Sequence, residues 1–174
     1  MNDYEALSLN EVFVGEKDVA KSGIFRIKID DDVYLGQFFS SGLLISTGTG
    51  STGWLTSAMQ FTEQNVSSVL EILGHHLEPA EVRSHLASSL SSETAFAPHA
   101  QKMFYYVREP TAADISGQYE GFAQGFCTHL EFISDLNNGR VSIDGMHSID
   151  IGLGDSFTLD AGEEHVLKGI KFIL

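Results

Sequence analysis

Leu43-Leu44-Ile45-Ser46-Thr47-Gly48-Thr49-Gly50-Ser51-Thr52-Gly53-Trp54 is the stretch on which the fold turns. Three apolar residues run into a tract of hydroxyls and glycines, the pattern of a buried strand entering a loop. The glycines at 48, 50 and 53 match G-x-G-x-x-G, which invites a dinucleotide-binding reading. That fingerprint belongs to a parallel βαβ unit, whereas the chain beyond Gly53 leads to helical patterns and then to hairpin-like strands, so a Rossmann fold is rejected. A Walker A loop is rejected too, because no Lys follows the glycines. The segment still offers a ring of N–H and O–H donors, and its glycines let the backbone approach a ligand.

Strand signals lie on both sides of this loop. Phe25, Ile27 and Ile29 alternate with Arg26, Lys28 and Asp30, which predicts a strand with one wet face. Residues 33–39 can return as its partner across Asp30-Asp31-Asp32. The middle of the chain changes period. Val66, Val69, Leu70 and Leu73 fall at i, i+3, i+4, i+7, and Val82, Leu86 and Leu90 repeat every four, predicting two helices joined near 74–79 with Pro79 at a first helical position. Residues 88–100, rich in Ser, Thr and Ala, read as a loop, and 103–107 as a strand. From Gln118 onward the chain reads as a meander, with 131–136 and 140–144 paired about an Asn138-Gly139 turn. Asp144-Gly145 and residues 152–155 punctuate the next strands. The expectation is a single mainly β, sandwich-like domain over 1–174, with a helical insertion at about 60–92, α+β overall.

The chain has 174 residues, 43% of them hydrophobic and 20% charged, which suits one globular domain. No apolar run approaches a membrane span, and the first residues carry acids in place of a basic, apolar leader. A location inside the cell follows as the expectation. The formal charge of −14 argues against nucleic acid and membrane surfaces as partners. An anionic ligand must therefore be held by local devices. The one cysteine, Cys127, excludes an internal disulfide, and a buried, inert thiol is expected. Seven histidines, His75, His76, His85, His99, His129, His147 and His165, are scattered without ligand spacing, so no metal site is expected.

A second polar signal is Asn10-Glu11 within Leu9-Asn10-Glu11-Val12. Adjacent strand residues face opposite ways, so solvation and packing do not account for both side chains together. A carboxylate can accept both hydroxyls of a ribose, and an amide can donate and accept at a base edge. The plain alternative is that Asn10 closes a turn and Glu11 faces water.

Taken together, Asn10-Glu11 and, downstream, Ser41-Gly42-Leu43-Leu44-Ile45 before the loop at 46–54 resemble the NAD kinase family. That family carries an Asn-Glu pair and then a Ser-Thr-Pro-Thr-Gly-Ser-Thr-Ala-Tyr-like loop preceded by Asp-Gly-Leu. Val107-Arg108-Glu109-Pro110, Val141-Ser142-Ile143-Asp144-Gly145, Ser41 and the helical insertion look like its divergent, mitochondrial-type branch. The resemblance is strong at 8–15 and 41–57 and looser after Gly117.

It implies the C-terminal, NAD-binding β domain of an enzyme that phosphorylates the adenosine ribose 2′-hydroxyl of NAD with ATP and Mg²⁺. By that resemblance Asn10 and Glu11 bind adenine and ribose, while Thr47, Thr49, Gly50, Ser51, Thr52, Gly53 and Trp54 form the nucleotide loop. Ser57 adds a hydroxyl near the base. Trp54 stands where Tyr is usual, Gly48 where Pro is, and Gly53 where Ala is. Ser41 replaces an Asp that reaches a ligand of the neighbouring subunit, a possible cross-subunit contact.

The family's Gly-Gly-Asp-Gly motif, from an N-terminal domain, has no match here. No catalytic residue is therefore expected in these 174 residues, and the chain by itself is expected to be inactive, a fragment or a domain that needs a partner. A homodimer or tetramer and a cytoplasmic location, or a mitochondrial one for a eukaryotic source, are implied. Two other readings stay open: a nucleotide-binding or assembly module without chemistry, and a lipid or sugar kinase of the related superfamily.

Overall fold

The computed structural model describes residues 5–30, 33–75, 79–92, 94–111, 123–162 and 170–173. Asp31, Asp32, His76, Gln118 and His165, on which parts of the sequence reading fall, lie outside the described residues.

Among the described residues, twelve strands form two six-stranded sheets. The first has the order β1 (Glu5–Ser8), β12 (Ile170–Ile173), β11 (Ser156–Asp160), β8 (His129–Ser134), β3 (Gly23–Ile29), β4 (Val33–Ser40). The second runs β10 (His147–Ile151), β9 (Gly139–Ile143), β2 (Glu11–Glu16), β5 (Gly42–Ser46), β6 (Met103–Arg108), β7 (Gln124–Cys127). Pairing within both sheets is antiparallel. The strand before the glycine loop, β5, thus lies antiparallel to both its neighbours, and the loop does not open a parallel crossover unit.

The alternation in the sequence decides which side chains meet between the sheets. Phe25, Ile27, Leu130, Phe132, Phe157 and Leu159 from one sheet face Val12, Val14, Leu43, Ile45, Val107, Val141 and Ile143 from the other, in one buried cluster. Phe132 stacks on Phe25 and Phe157 at ring-centroid distances of 5.2 and 4.8 Å. Each fully buried Leu, Ile or Phe is worth roughly 1.5–3 kcal/mol in transfer terms, against the entropy of ordering it. Cys127 is buried in this cluster, as expected, and burial pushes its thiol above the ordinary range.

Two predicted features differ from the structure. Asn138-Gly139 does not close a hairpin, because β8 and β9 belong to different sheets. The chain crosses the sandwich there. Leu136 fills the core, the Glu16 carboxylate accepts the Asn137 and Asn138 N–H groups at 2.9 and 3.1 Å, and Lys17 N–H donates to Asn138 O at 2.9 Å. Gly139 is needed for space, since a Cβ would lie 2.6 Å from Leu136 Cδ1. Residues 152–155 likewise carry the chain from one sheet to the other, whereas Asp144-Gly145 makes a true hairpin between β9 and β10, with φ of 50° and 67°.

The second difference is in the insert. Its helices are α2 (Glu63–Ile72) and α3 (Ala80–Ser92), so the predicted loop at 88–100 begins only after Ser92. Ala and Leu are strong helix formers, and Ser91 and Ser92 satisfy their hydroxyls on the carbonyls of Ala87 and Ser89 at 2.8 Å each. Pro79 precedes α3, and its carbonyl accepts from the N–H groups of Val82 and Arg83 at 3.1 and 3.2 Å.

Candidate nucleotide site

Where β2 begins, a carboxylate from 133 residues away gathers the backbone. Asp144 accepts the N–H of Leu9 at 2.8 Å, of Asn10 at 2.7 Å and of Glu11 at 3.0 Å, and the Ser8 hydroxyl at 2.8 Å. Its own N–H donates to Glu11 O at 2.9 Å. Burial alone would raise the Asp144 carboxyl, but these donors outweigh it and hold the group below its ordinary value. Asn10 therefore lies in a turn ahead of the strand, not within it, and Glu11 is the first strand residue.

The same turn is tied to the glycine loop. Glu11 pairs with Ser46 in the sheet, Thr47 N–H donates to Asn10 O at 2.9 Å, and the Thr47 hydroxyl donates to Leu9 O at 2.6 Å. The Thr47 hydroxyl also accepts Gly50 N–H at 3.1 Å. Gly50 runs so close to the turn that a Cβ there would sit 2.2 Å from Asn10 O. Gly48 has the same constraint on its other side, with Ala97 O at 2.2 Å from a Cβ. Asn10-Glu11 and residues 46–54 thus converge in space.

Within the loop the residues divide by exposure. Thr47 and Ser51 are buried, and the Ser51 hydroxyl donates to Gly48 O at 2.8 Å while accepting Phe96 N–H at 3.2 Å. Gly50 is buried and Thr49 half-buried. The chain then makes a 3-10 turn over Gly50–Thr52 and enters α1 (Trp54–Ala58). Thr52, Gly53, Trp54 and Ser57 are exposed. A substituted Gly53 would meet only Gly50 O, at 3.3 Å.

Period-2 alternation puts Glu11 and Phe13 on the outer face of the second sheet. There Phe13 packs against Trp54 at a centroid distance of 5.1 Å, tilted by 41°. The Arg108 guanidinium lies over both rings, 5.6 Å from Phe13 and 5.9 Å from Trp54. Phe13 and Arg108 carry no signal as single residues. Their alternation with Glu11 on β2 and with Phe104 on β6 is what could have found them. Asp144 was legible only as half of a turn pair.

Glu11 is half-buried, and desolvation first, then the nearby Asp144 charge, raises its carboxyl above the ordinary 4.5. Among the described residues, neither its carboxylate nor the Asn10 amide has a side-chain hydrogen-bond partner. Ser41 stands apart, at the opposite end of β5 from the loop. Its N–H and hydroxyl donate to Arg108 O at 3.2 and 3.4 Å. A cleft of about 620 Å³ between α1 and the helical pair shares only Thr52 with this group. No group of three or more His, Cys, Asp or Glu among the described residues could hold a metal ion, and no helix among them is long and apolar enough to cross a membrane.

No family model matches the chain. It is similar to mitochondrial NAD kinase 2 of Rattus norvegicus, 32% identical over 170 residues, covering 94% of this chain and 39% of that protein. Against mitochondrial NAD kinase 2 of Homo sapiens it is also 32% identical over 170 residues, covering 37% of that protein. The chain belongs to the NAD kinase family. Its likeness is to the mitochondrial-type branch, and it spans between a third and two-fifths of the curated relatives' length. Solved NAD kinases share the fold. Yeast NADH kinase complexed with NADH aligns with a TM-score of 0.55 at 14% identity, over 96% of this chain and 34% of that one. An Archaeoglobus fulgidus NAD kinase in complex with ATP aligns at 0.52 and 17% identity, over 98% of this chain and 48% of that one. The two-sheet architecture described above is that of the NAD kinase C-terminal domain.

Proposed function

We propose that this chain is the NAD-binding part of an ATP-dependent NAD kinase that phosphorylates the adenosine ribose 2′-hydroxyl to give NADP. The observation that carries the reading is the joint between the Asn10 turn and the glycine loop. It leaves the Asn10 amide and the Glu11 carboxylate without side-chain partners among the described residues, with Glu11 on the sheet face where Phe13 packs against Trp54. Glu11 accepts the ribose hydroxyls and Asn10 meets the base edge. Thr49, Thr52, Gly53, Trp54 and Ser57 line the pocket, while Thr47, Gly50 and Ser51 hold the loop in shape. Ser41, at the far end of β5, is left for a ligand of a neighbouring subunit in a dimer or tetramer.

Mg²⁺ and ATP belong with the Gly-Gly-Asp-Gly segment, which has no match in these 174 residues. The chain by itself binds NAD weakly and turns nothing over. The mitochondrial names of the relatives support the mitochondrial alternative to a cytoplasmic location.

Trp54 is the chain's one tryptophan, so its indole N–H gives a single resonance that reports the site. Titration with adenosine or NAD should shift it saturably, and Asn10→Ala and Glu11→Gln should each weaken that binding about tenfold, the loss of one good hydrogen bond, with stability nearly unchanged. Binding indifferent to both substitutions overturns the site. Steady ATP-dependent NADP formation by the purified chain overturns the incompleteness.

A further inference from the structure

The chain has ten Lys and Arg against 24 Asp and Glu, and five of the described cations already sit on carboxylates. Lys17 and Arg140 sit on Asp150, Lys21 on Asp18, Arg26 on Asp135 and Lys28 on Glu131. Arg108 sits on none. Among the described residues no carboxylate lies within ion-pair distance of its guanidinium, whose neighbours are the faces of Phe13 and Trp54. Lys102 also has no carboxylate within ion-pair distance among the described residues, but the rings it lies over are Phe126 and Phe96.

A guanidinium resting on aromatic faces keeps its planar fork of N–H donors at the edge, the geometry that suits two oxygens of a phosphate. The setting makes this significant. With a formal charge of −14 the overall field repels anions, and an anionic ligand group needs a local cation that no carboxylate has claimed. Arg108 is half-buried, on the outer face of β6 with Tyr106 and Phe104. The pairing of Gly42 with Arg108, and of Glu11 with Ser46 and Phe104, puts Arg108 four residues along the sheet from the Glu11 row. At about 3.3 Å per residue that is roughly 13 Å of backbone, and the side chain turns back over Phe13 and Trp54, so the guanidinium lies between the Arg108 row and the Glu11 row, where a phosphate carried by the nucleoside would fall.

We propose that Arg108 is a specificity-determining residue that holds a phosphoryl group of the ligand whose adenosine lies at Asn10 and Glu11. The inference rests on the site proposed above and adds the charge that selects phosphorylated nucleosides over free ones. It also gives the Phe13 and Trp54 rings a second task, since they keep the guanidinium flat and in place.

The probes are adenosine and ADP, followed by the Trp54 indole resonance at low and at moderate salt. ADP should bind at least tenfold more tightly than adenosine, with the advantage shrinking as salt rises. Arg108→Gln should remove most of that advantage while weakening adenosine far less, and Arg108→Lys should keep part of it. Equal affinity of the unsubstituted chain for the two probes overturns the proposal without needing any variant, and so does an equal loss for both probes in Arg108→Gln, which would make Arg108 a prop for Trp54. If neither probe moves Trp54, the nucleotide site itself falls, and this inference with it.

Discussion

The turn at Leu9–Glu11 and the helical pair α2–α3 are both excursions from the same sandwich, yet they are held in opposite ways. Three consecutive N–H groups of the turn end on one carboxylate, its carbonyls take the loop's donors, and Gly50 approaches to within Cβ contact of it. The helices bury little. Val66 is the buried residue of α2 and Ala87 that of α3, while Ile72 is 85% exposed and Leu73 66%. A capping box at Thr62 and Asn65 fixes where α2 starts, but local capping stands in for tertiary packing there. The lesson concerns where rigidity is placed. The backbone that presents the Asn10 amide and the Glu11 carboxylate is over-determined by hydrogen bonds, whereas the helical pair is held mainly by its own local bonds.

The largest break in that contrast should come from Asp144→Ala. It strands three N–H groups and a hydroxyl at a partly buried corner, and a loss of about 2–4 kcal/mol in urea unfolding is expected. Asp144→Asn, which tolerates the positive φ and keeps one acceptor oxygen, should cost less. Acid sharpens the test. The folded-state pKa of Asp144 is depressed, so its stabilisation is present above the ordinary 3.8 and is lost as pH falls through the folded value. Glu11 is raised, so its contribution has the opposite sign, present below 4.5 and lost as pH rises through its folded value. Stability that keeps its acid dependence in Asp144→Asn would show that the corner does not depend on this carboxylate.

Next in size is the pair Gly50→Ala and Gly53→Ala. At Gly50 the new methyl meets a backbone carbonyl that cannot move without opening the turn, and about 2–3 kcal/mol should be lost. At Gly53 φ is −97°, and one oxygen at 3.3 Å must give slightly, so the change should stay within about 0.5–1 kcal/mol. Equal costs at the two positions would mean that the loop is not wedged against the turn.

Much of this architecture was legible because it is written locally. Phe25, Ile27 and Ile29 alternate, and alternation suffices to place a strand with a buried face. Asn10-Glu11 and the glycine tract were found as short motifs, and their meeting in space follows from β2 pairing with β5. Asn138-Gly139 was misread because a turn dipeptide reports local backbone freedom and not the sheet that receives the next strand. That choice was made by Leu136 entering the core and Glu16 catching two N–H groups, contacts more than a hundred residues apart in the second case. Asp144 was underread for the same reason. Its hairpin chemistry explained it fully at short range, while its four acceptor contacts lie at separations of 133 to 136 residues. The Ser-rich end of α3 reads as loop from its composition, although the spacing of Leu86 and Leu90 already carries the helix toward Ser92.

The smallest expected effects lie in the helical pair, and they test the other half of the comparison. Val66→Ala should cost about 1–2 kcal/mol, since it empties the one buried position of α2, but the loss should appear as faster amide exchange in the helices with the β2–β5 joint still protected. Ile72→Gln should change stability by no more than about 0.5 kcal/mol, because a side chain 85% exposed has little burial to lose. The two substitutions on one helix separate packing from propensity. If Ile72→Gln were as costly as Val66→Ala, the outer face of α2 would be covered in solution, and the insert would be an assembled surface and not a loose one.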